Sequence, residues 1–248
     1  MKTRSNLSSP VHRMGSGLRW ASAAAVLAFV AGCATGPNAN PADPLEPFNR
    51  GVTRFNDTVD DAVLVPVATA YQKVLPSMVR TGVNNFFGNI GDVWSLANNV
   101  AQLKLQDSAE TFMRLNVNTF LGLGGLLDVA TEAGIPRHEK DFGQTLGYWG
   151  VAPGPYLVLP LLGPSTVRDA AAKPLDFWGD PVNHIHDVAW RNSLTVLDVV
   201  DTRSQYLRAG RLLGDAALDK YSFTRDAFLQ RRQSQIYDGN PPDDGAGK

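Results

Sequence analysis

The sequence predicts an all-α protein in which amphipathic helices alternate with irregular segments rich in glycine and proline. Apolar side chains recur at three- and four-residue spacing through most of residues 43–237. Prolines or small polar residues stand where several of these periodic stretches begin, as is typical of helix starts. Helices are expected over residues 44–59, 66–75, 76–90, 93–103, 107–121, 164–173, 188–213 and 221–237, with a break at Gly91-Asp92.

The first 32 residues are predicted to be a lipoprotein signal peptide. Four basic residues and no acid precede the apolar run Ala21–Ala31, which is too short to span a bilayer. Val30-Ala31-Gly32-Cys33 resembles a bacterial lipobox, so Cys33 is the expected acylated N-terminus. The alternative is an ordinary secretory signal with a cysteine nearby. Ala34 after the cysteine favours the outer membrane over the inner one.

The mature chain divides into three predicted segments after the signal peptide. Residues 33–42 form a tether, residues 43–237 a helical domain and residues 238–248 a disordered tail. Without residues 1–32 the chain has 19 basic and 24 acidic residues, a net charge of −5. This acidic balance argues against nucleic acid as a partner.

The central segment, residues 105–130, organises the helical domain. Asp107 and Glu110 have the spacing of a capping box at a helix start. An apolar face and a separate polar stripe then follow; the face is Ala109, Phe112, Met113, Val117, Phe120 and Leu121, and the stripe is Glu110, Arg114 and Asn118. This helix could line a path for an amphipathic molecule, or it could be ordinary core.

Polar and glycine residues within the central segment are candidate functional residues. Asn116 falls on the apolar face, where a buried amide needs a partner or a wet cavity. Glycines at the end of the helix favour a stop or a hinge. The candidate lining or gating residues here are Asn116, Asn118, Thr119, Gly122, Gly124 and Gly125.

Residues 142–167 form a second informative stretch, because they carry no charge. Their glycines and prolines exclude a continuous helix, and a strand is expected only at Tyr156–Leu159. Irregular chain at a bilayer interface fits, with Tyr148, Trp149 and Tyr156 as amphipathic anchors. The alternative is a buried Ω-like loop.

No motif in the sequence requires an enzyme, a metal or a cofactor. His184 and His186 lie two residues apart at an expected helix start, and too few other ligands remain for zinc. The glycines at 122–125 end a helix, whereas a dinucleotide-binding fingerprint begins one. Ser165 follows a turn and is more typical of a helix cap than of a nucleophile.

Several motifs together resemble the MlaA/VacJ family of outer-membrane lipoproteins. They cover most of the mature chain: DPLEPFNR at 43–50, NNFFGNI at 84–90, RLNVNTFLGLGGLLDVA at 114–130, DFGQTLGYWG at 141–150 and GPYLVLPLLGPSTVRD at 154–169. The family's usual first motif has glycine where this chain has Pro47. The following segment, which contains Phe55 and Asn56, is usually richer in phenylalanine.

The resemblance implies a ring-like bundle of helices embedded at the membrane interface, in the periplasmic-side leaflet, with an amphipathic channel. Phe55 and Asn56 join the candidate channel residues on this basis. Phospholipid mislocalised in the outer leaflet would pass through the channel to a periplasmic MlaC-like carrier. This removal would maintain the lipid asymmetry of the outer membrane. Trimeric porins are the other implied partners, and no cofactor is implied.

Two alternatives from other functional classes stay open. The chain could be a structural lipoprotein that scaffolds porins without transporting lipid, or a lipid- or envelope-directed hydrolase. A lipid path is expected to have a polar but uncharged lining, because fixed charge would trap a head group.

Overall fold

The computed structural model describes residues 43–216 and 218–242, with the side chains of residues 211–216 excepted. Of the described residues, 43–49 belong to one compact unit, and 50–216 with 218–242 belong to a second. Residues 43–49 include the start of the first helix. The predicted signal peptide, Cys33, the tether and residues 243–248 of the predicted tail lie outside the described residues.

Helices and one short hairpin make up the described chain, which confirms the all-α class with irregular segments. In chain order the elements are α1 Glu46–Val59, a π-helical turn Asp60–Leu64, α2 Val65–Val74, α3 Ser77–Ala101, α4 Leu105–Phe120, α5 Val129–Glu132, α6 Phe142–Tyr148, β1 Tyr156–Leu159, β2 Gly163–Thr166, α7 Val167–Gly179, a 3₁₀ turn Pro181–His184, α8 Val188–Ala216 and α9 Lys220–Ile236. The strands are antiparallel, pairing Tyr156 with Thr166 and Leu159 with Gly163.

Several predicted helix boundaries are wrong, including the end of α7, which lies at Gly179 and not at residue 173. Helix α3 runs without a break through Gly91-Asp92, since Asp92 is buried and accepts hydrogen bonds from Arg137 instead of capping a helix. Helix α4 begins at Leu105, two residues before the predicted cap at Asp107. At α7 the cap is Thr166, whose hydroxyl accepts a hydrogen bond from the Asp169 backbone N–H at 3.2 Å, while Ser165 lies in β2.

The packing of the second unit is unusual because the buried side chains of its long helices are mainly polar. Helix α3 packs chiefly against α4, α2 against α8, and α6 against α7. A small aromatic and aliphatic cluster sits around the hairpin, where Tyr156 and Val158 pack with Tyr221. Among the described residues, none of the helices has both the length and the apolar character needed to cross a bilayer.

Two glycines of α3, one helical turn apart, offer a matched test of this packing. A Cβ on Gly88 would lie 2.3 Å from Nη2 of Arg137, whereas one on Gly91 would meet nothing within 4 Å. We expect Gly91→Ala to raise the free energy of unfolding by roughly 0.5–1 kcal/mol, because alanine is the better helix former. Gly88→Ala should lower it by about 1–3 kcal/mol, because Arg137 must move away from buried Asp92. Denaturant unfolding in a mild detergent measures both, and equal stability of the two variants would contradict this packing.

Candidate functional site

A stripe of buried polar side chains runs along the facing sides of α3, α4 and α6. We call it the polar seam and define it as Asn89, Asp92, Ser95, Asn98, Asn99, Gln102, Ser108, Thr111, Arg114, Asn118, Gln144 and Thr145. Within each helix its members recur mostly at three- and four-residue spacing, so each helix presents one polar face. The seam is therefore an amphipathic arrangement with the polar side turned inward.

Arg114 is the largest side chain of the seam, and it is 1% exposed. Its Nη2 donates to both carboxylate oxygens of Asp128, at 2.9 and 3.0 Å, and its Nη1 donates to the Thr131 hydroxyl at 3.0 Å. Asn118 joins the same cluster, since its Nδ2 donates to Asp128 and its Oδ1 accepts from the Ala130 backbone N–H. This network fixes the segment after α4 to the middle of that helix.

The Asp128 carboxyl is strongly stabilised in its ionised form. Burial alone would raise its pKa, but hydrogen bonds from Thr131 and Asn118 and the charge of Arg114 lower it to about 2. Burial has the larger influence on Asp92, whose pKa is raised even though Arg137 and Arg114 oppose the change. Asp128 and Asp92 thus each have an arginine beside the carboxylate.

A second ionic network joins α6, α7 and α9. Both terminal nitrogens of the Arg232 guanidinium donate to Asp141 at 2.7 Å, and its Nε donates to Asp169 at 2.9 Å. Arg168 donates to the other oxygen of Asp169, also at 2.9 Å. Burial would raise the pKa of Asp141, but Arg232 lowers it below its ordinary value. The charges here are again paired inside the protein.

A cavity of about 450 Å³ lies beside the polar seam. Its lining is mostly polar and includes charged residues from α3, the segment before α6, α8 and α9; it consists of Asn84, Phe87, Gly88, Gly91, Asp92, Trp94, Ser95, Glu139, Lys140, Asp141, Gln144, Asp180, Asp198, Thr202, Arg232 and Gln235. The lining thus differs from the expected uncharged one. Several of its charges are neutralised by ion pairs, including Asp92 with Arg137 and Arg232 with Asp141.

Some buried amide oxygens of the seam have no hydrogen-bond partner within the described part of the chain. They are Asn89 Oδ1, Asn99 Oδ1, Gln102 Oε1 and Gln144 Oε1. Buried acceptors of this kind normally bind ordered water or a ligand donor. The interior consequently has hydrogen-bonding capacity beyond what its own fold uses.

Large apolar side chains occupy the opposite faces of the same helices and point outward. On α4 and the turn after it, exposed residues include Phe112, Met113, Phe120, Leu121, Leu123, Leu126 and Leu127. Phe120 is 79% exposed, as are Leu103, two residues before α4, at 81% and Leu105, the first residue of α4, at 80%. We call this set of residues the apolar surface. The apolar face predicted for α4 exists, but it is turned away from the protein interior.

The candidate residues of α4 occupy three different environments. Asn118 is buried and fully engaged with Asp128 and Ala130, as described above. Thr119 is exposed and accepts a hydrogen bond from Asn89 at 3.0 Å. Asn116 is half-buried and donates to the Phe112 carbonyl of its own helix at 2.7 Å, so its amide nitrogen is satisfied locally. Thr119 thus contacts α3 through Asn89, and Asn118 is part of the seam. The lining role of Asn116, Asn118 and Thr119 stays a prediction.

The glycines after α4 form a hydrogen-bonded turn. Gly122, Gly124 and Gly125 donate backbone N–H groups to carbonyls of Val117, Thr119 and Asn118 at 2.9–3.2 Å. Gly124 and Gly125 have φ values of 73° and 93°, which L-residues adopt at a cost. A Cβ on Gly122 would approach the Leu127 carbonyl oxygen to 2.2 Å. These glycines are required by the turn itself, and their predicted hinge or gating role stays a prediction.

The other candidate residues lie near the hairpin or on the surface. Asn56 binds the β1–β2 connection, donating to Leu159 O at 3.0 Å and accepting from Leu161 N at 2.8 Å, while neighbouring Phe55 is exposed. Tyr148 and Trp149 are exposed, and their role as interfacial anchors stays a prediction. Tyr156 is 4% exposed, so its predicted role as a surface anchor is wrong in this conformation. Its ring packs against Tyr221 and Phe228, which makes it a core residue.

Sequence reasoning did not identify the α3 half of the seam or the ionic network on α9. The signal for α3 was present, because Asn89, Asp92, Ser95 and Asn99 recur with helical spacing. No local pattern marks Arg232, whose partners Asp141 and Asp169 are 91 and 63 residues away. Its role depends on the tertiary fold.

Known proteins resemble this chain over most of its length. The family model described as "MlaA lipoprotein" matches residues 41–235. An Escherichia coli protein, "Intermembrane phospholipid transport system lipoprotein MlaA", is 36% identical over 195 residues, covering 76% of each chain. An uncharacterized protein of Rickettsia bellii is 32% identical over 78% of this chain and 76% of its own length. The chain spans about half the length of four other Rickettsia relatives.

A solved structure also matches this fold. It is described as the "Structural basis for maintenance of bacterial outer membrane lipid asymmetry", and its TM-score is 0.68 at 34% sequence identity. The match covers 80% of this chain and 99% of the other. The likeness therefore extends across the described helical region and is supported by sequence as well as fold.

The ionised Asp128 predicts a defined pH dependence of stability. Its pKa in the folded protein, about 2, is below its ordinary value, so it stabilises the fold above about pH 4 and loses this effect as the pH falls towards 2. The contribution is about 2 kcal/mol. We expect wild type to lose about that much more unfolding free energy than Asp128→Asn between pH 4 and pH 2. Denaturant unfolding at each pH tests this, with exposed Asp226→Asn as a control that should follow wild type. Parallel curves for wild type and Asp128→Asn would contradict the network.

Proposed function

The chain belongs to the MlaA lipoprotein family, and we propose that it is an outer-membrane lipoprotein that removes mislocalised phospholipid from the outer leaflet. It would act as a non-enzymatic conduit and so maintain the lipid asymmetry of that membrane. The names of its relatives, which refer to intermembrane phospholipid transport, support this substrate class. The solved structure that it resembles concerns the same asymmetry.

The inverted packing of α3 and α4 is the observation that carries this proposal. A protein surrounded by water buries its large apolar residues, because their transfer out of water is favourable. Here Phe112, Phe120 and Leu121 are exposed while Arg114 and Asn118 are buried. An exposed apolar patch with this organisation is typical of a surface in contact with lipid. A polar interior beside a lipid-facing surface would give a head group a route that avoids the hydrocarbon core of the bilayer.

The details of the membrane arrangement come from the lipobox and the family resemblance, and they belong to the same proposal. The apolar surface would lie in the periplasmic-side leaflet, and Tyr148 and Trp149 would sit at the level of the head groups. Acylation of Cys33 after removal of residues 1–32 would anchor the chain there. A periplasmic MlaC-like carrier would receive the phospholipid, and trimeric porins would be neighbours in the membrane.

The 450 Å³ cavity and the polar seam are the proposed path of the head group. The unpartnered amide oxygen of Gln144 supplies an acceptor next to this path, and several charges of the lining are paired, including Arg232 with Asp141 and Asp92 with Arg137. Asn118 belongs to the seam, and Thr119 accepts a hydrogen bond from Asn89 of the seam. The lining or gating role of Asn116, Asn118, Thr119 and the glycine turn belongs to this proposal. Phe55 and Asn56, beside the hairpin, are included because the family resemblance implies them.

We expect loss of the protein to increase phospholipid on the cell surface. An outer-leaflet phospholipase assay on intact cells compares a deletion strain with strains restored by wild type, Cys33→Ala, Gly124→Pro and Gly134→Pro. Wild type should restore a low signal, and Cys33→Ala should fail for lack of an anchor. Gly124→Pro should fail because proline removes the N–H donor to Thr119 O and the φ of 73°.

Gly134→Pro is a matched control for the glycine turn. Gly134 also has a positive φ, of 75°, donates its N–H to Thr131 O and has open space at its Cβ, but it lies outside residues 122–125. It should restore function better than Gly124→Pro at equal protein levels. An unchanged surface signal in the deletion strain would refute lipid transport, and porin scaffolding would then take its place.

The membrane-facing role of α4 predicts the effect of a charge on its apolar side. Phe120→Lys should weaken binding to phospholipid vesicles by about 1–3 kcal/mol. The variant loses a ring that would insert into the bilayer, and it brings an ammonium group into the hydrocarbon region. Gln106→Lys adds the same charge to an exposed polar position of the same helix and should have little effect. Vesicle flotation of the non-acylated Cys33→Ala protein measures both. Equal flotation of the two variants would show that this face of α4 does not enter the bilayer.

A further inference from the structure

Two lysines from separate parts of the chain converge on one carboxylate. Lys104 immediately precedes α4, Lys140 precedes α6, and Asp238 lies in the turn after α9. The ammonium of Lys104 contacts one Asp238 oxygen and that of Lys140 contacts the other. The lysine side chains are only 12% and 4% exposed, whereas that of Asp238 is 43% exposed. The cations are thus part of the fold, and the anion lies at its edge.

The charges of this cluster do not balance. Two ammonium groups share a single carboxylate, and the Lys140 ammonium otherwise donates to the Gln235 carbonyl at 2.7 Å, which is neutral. Burial lowers the pKa of Lys140, the Asp238 carboxylate raises it and the neighbouring Lys104 lowers it again. An anion between the two lysines is therefore needed, and one carboxylate only half neutralises them.

The surroundings of Lys104 combine a polar and an apolar side. Leu103 and Leu105, on either side of it in sequence, belong to the apolar surface. The Lys104 ammonium lies 4.9 Å from the ring centre of Tyr148, which is itself exposed. On the other side Lys140 and Gln235 line the 450 Å³ cavity. The pair of lysines thus stands at the boundary between a lipid-like surface and a polar interior.

The carboxylate lies in a short left-handed turn that ends α9. Asp238 has a φ of 51°, a region that aspartate adopts more often than most non-glycine residues, and Gly239 follows with 85°. The turn closes with a hydrogen bond from Gly239 N to Ser234 O at 2.8 Å. The carboxylate is thus carried by a turn outside the helices, whereas Lys104 and Lys140 lie just before α4 and α6.

We propose that Lys104 and Lys140 form a binding site for the phosphate of a phospholipid, with the Asp238 carboxylate as a displaceable occupant. A phosphodiester, like a carboxylate, shares one negative charge between two oxygens on one central atom, so the exchange conserves charge and each lysine keeps one contact. The acyl chains of the lipid then lie along Leu103 and Leu105. The choice of lipid over free phosphate rests on the proposed function, while the anion site itself rests on the two lysines alone.

Removal of the carboxylate should uncover the site. In Asp238→Asn, full-length protein in nonionic detergent should bind dihexanoyl phosphatidylglycerol roughly tenfold more tightly than wild type does. Asp238→Glu keeps a competing carboxylate and should bind with affinity close to wild type. The triple variant with Lys104→Gln and Lys140→Gln added should lose the gain. Isothermal titration calorimetry at constant ionic strength measures each affinity.

The controls separate the possible explanations. Asp57→Asn frees Lys220, another lysine paired with a single aspartate, and should leave the affinity unchanged. Dihexanoylglycerol, which lacks the phosphate, should not distinguish Asp238→Asn from wild type. Equal affinity of Asp238→Asn and wild type for the phospholipid, or a gain that persists in the triple variant, would overturn the site. Inorganic phosphate binding as tightly as the lipid would overturn the assignment to lipid. None of these results depends on the cell-surface assay, so a failure of this site can be told apart from a failure of the proposed function.

Discussion

The need to satisfy polar groups inside the protein governs this structure. Because many large apolar side chains face outward, hydrophobic burial alone cannot hold the long helices against one another. It is held instead by hydrogen bonds and ion pairs, each of which is stabilising only if its partners are well placed. Arg114 with Asp128, Arg137 with Asp92, and Arg232 with Asp141 and Asp169 meet this condition. Loss of one partner would leave a buried charge without compensation, so the fold depends on these pairs more than on any single apolar contact.

This constraint also accounts for the division of roles between regions of the chain. The hairpin and α9 share a conventional aromatic cluster around Tyr156, whereas α3, α4 and α6 share the polar seam. The glycines of α6 permit the close approach that the ionic network requires, since a Cβ on Gly143 would lie 2.5 Å from Nη2 of Arg232. The uncharged stretch 142–167 is thus neither a span nor a loose loop. It supplies a helix and a hairpin that pack against charged residues from α7 and α9.

The sequence predicts the helical class, most helix positions and the amphipathic character of α4 correctly, because these depend on local periodicity. It does not reveal which face of α4 is buried, since an amphipathic helix has the same pattern in water and against lipid. For the same reason the candidate residues on α4 lie on both of its faces. Asn118 is buried, whereas Asn116 is only half-buried. Gly91-Asp92 has the local pattern of a helix boundary. The sequence does not show that Asp92 is instead paired with Arg137, because Arg137 lies 45 residues away. Long-range ion pairs of this kind leave no local trace, and they are what positions the cavity.

A polar interior stabilised by paired charges is compatible with the passage of a zwitterionic or anionic head group, whereas one of isolated charges is not. An isolated buried cation would bind a phosphate strongly and hold it, because the alternative is an unpaired charge at low dielectric. When a carboxylate already occupies the cation, a passing phosphate exchanges one anion for another, and the free energy difference between the two states is small. Binding is then weak enough to be reversible, and the internal carboxylate restores the resting state after release. The internal ion pairs that replace a hydrophobic core would in this way also set how firmly the path holds its lipid.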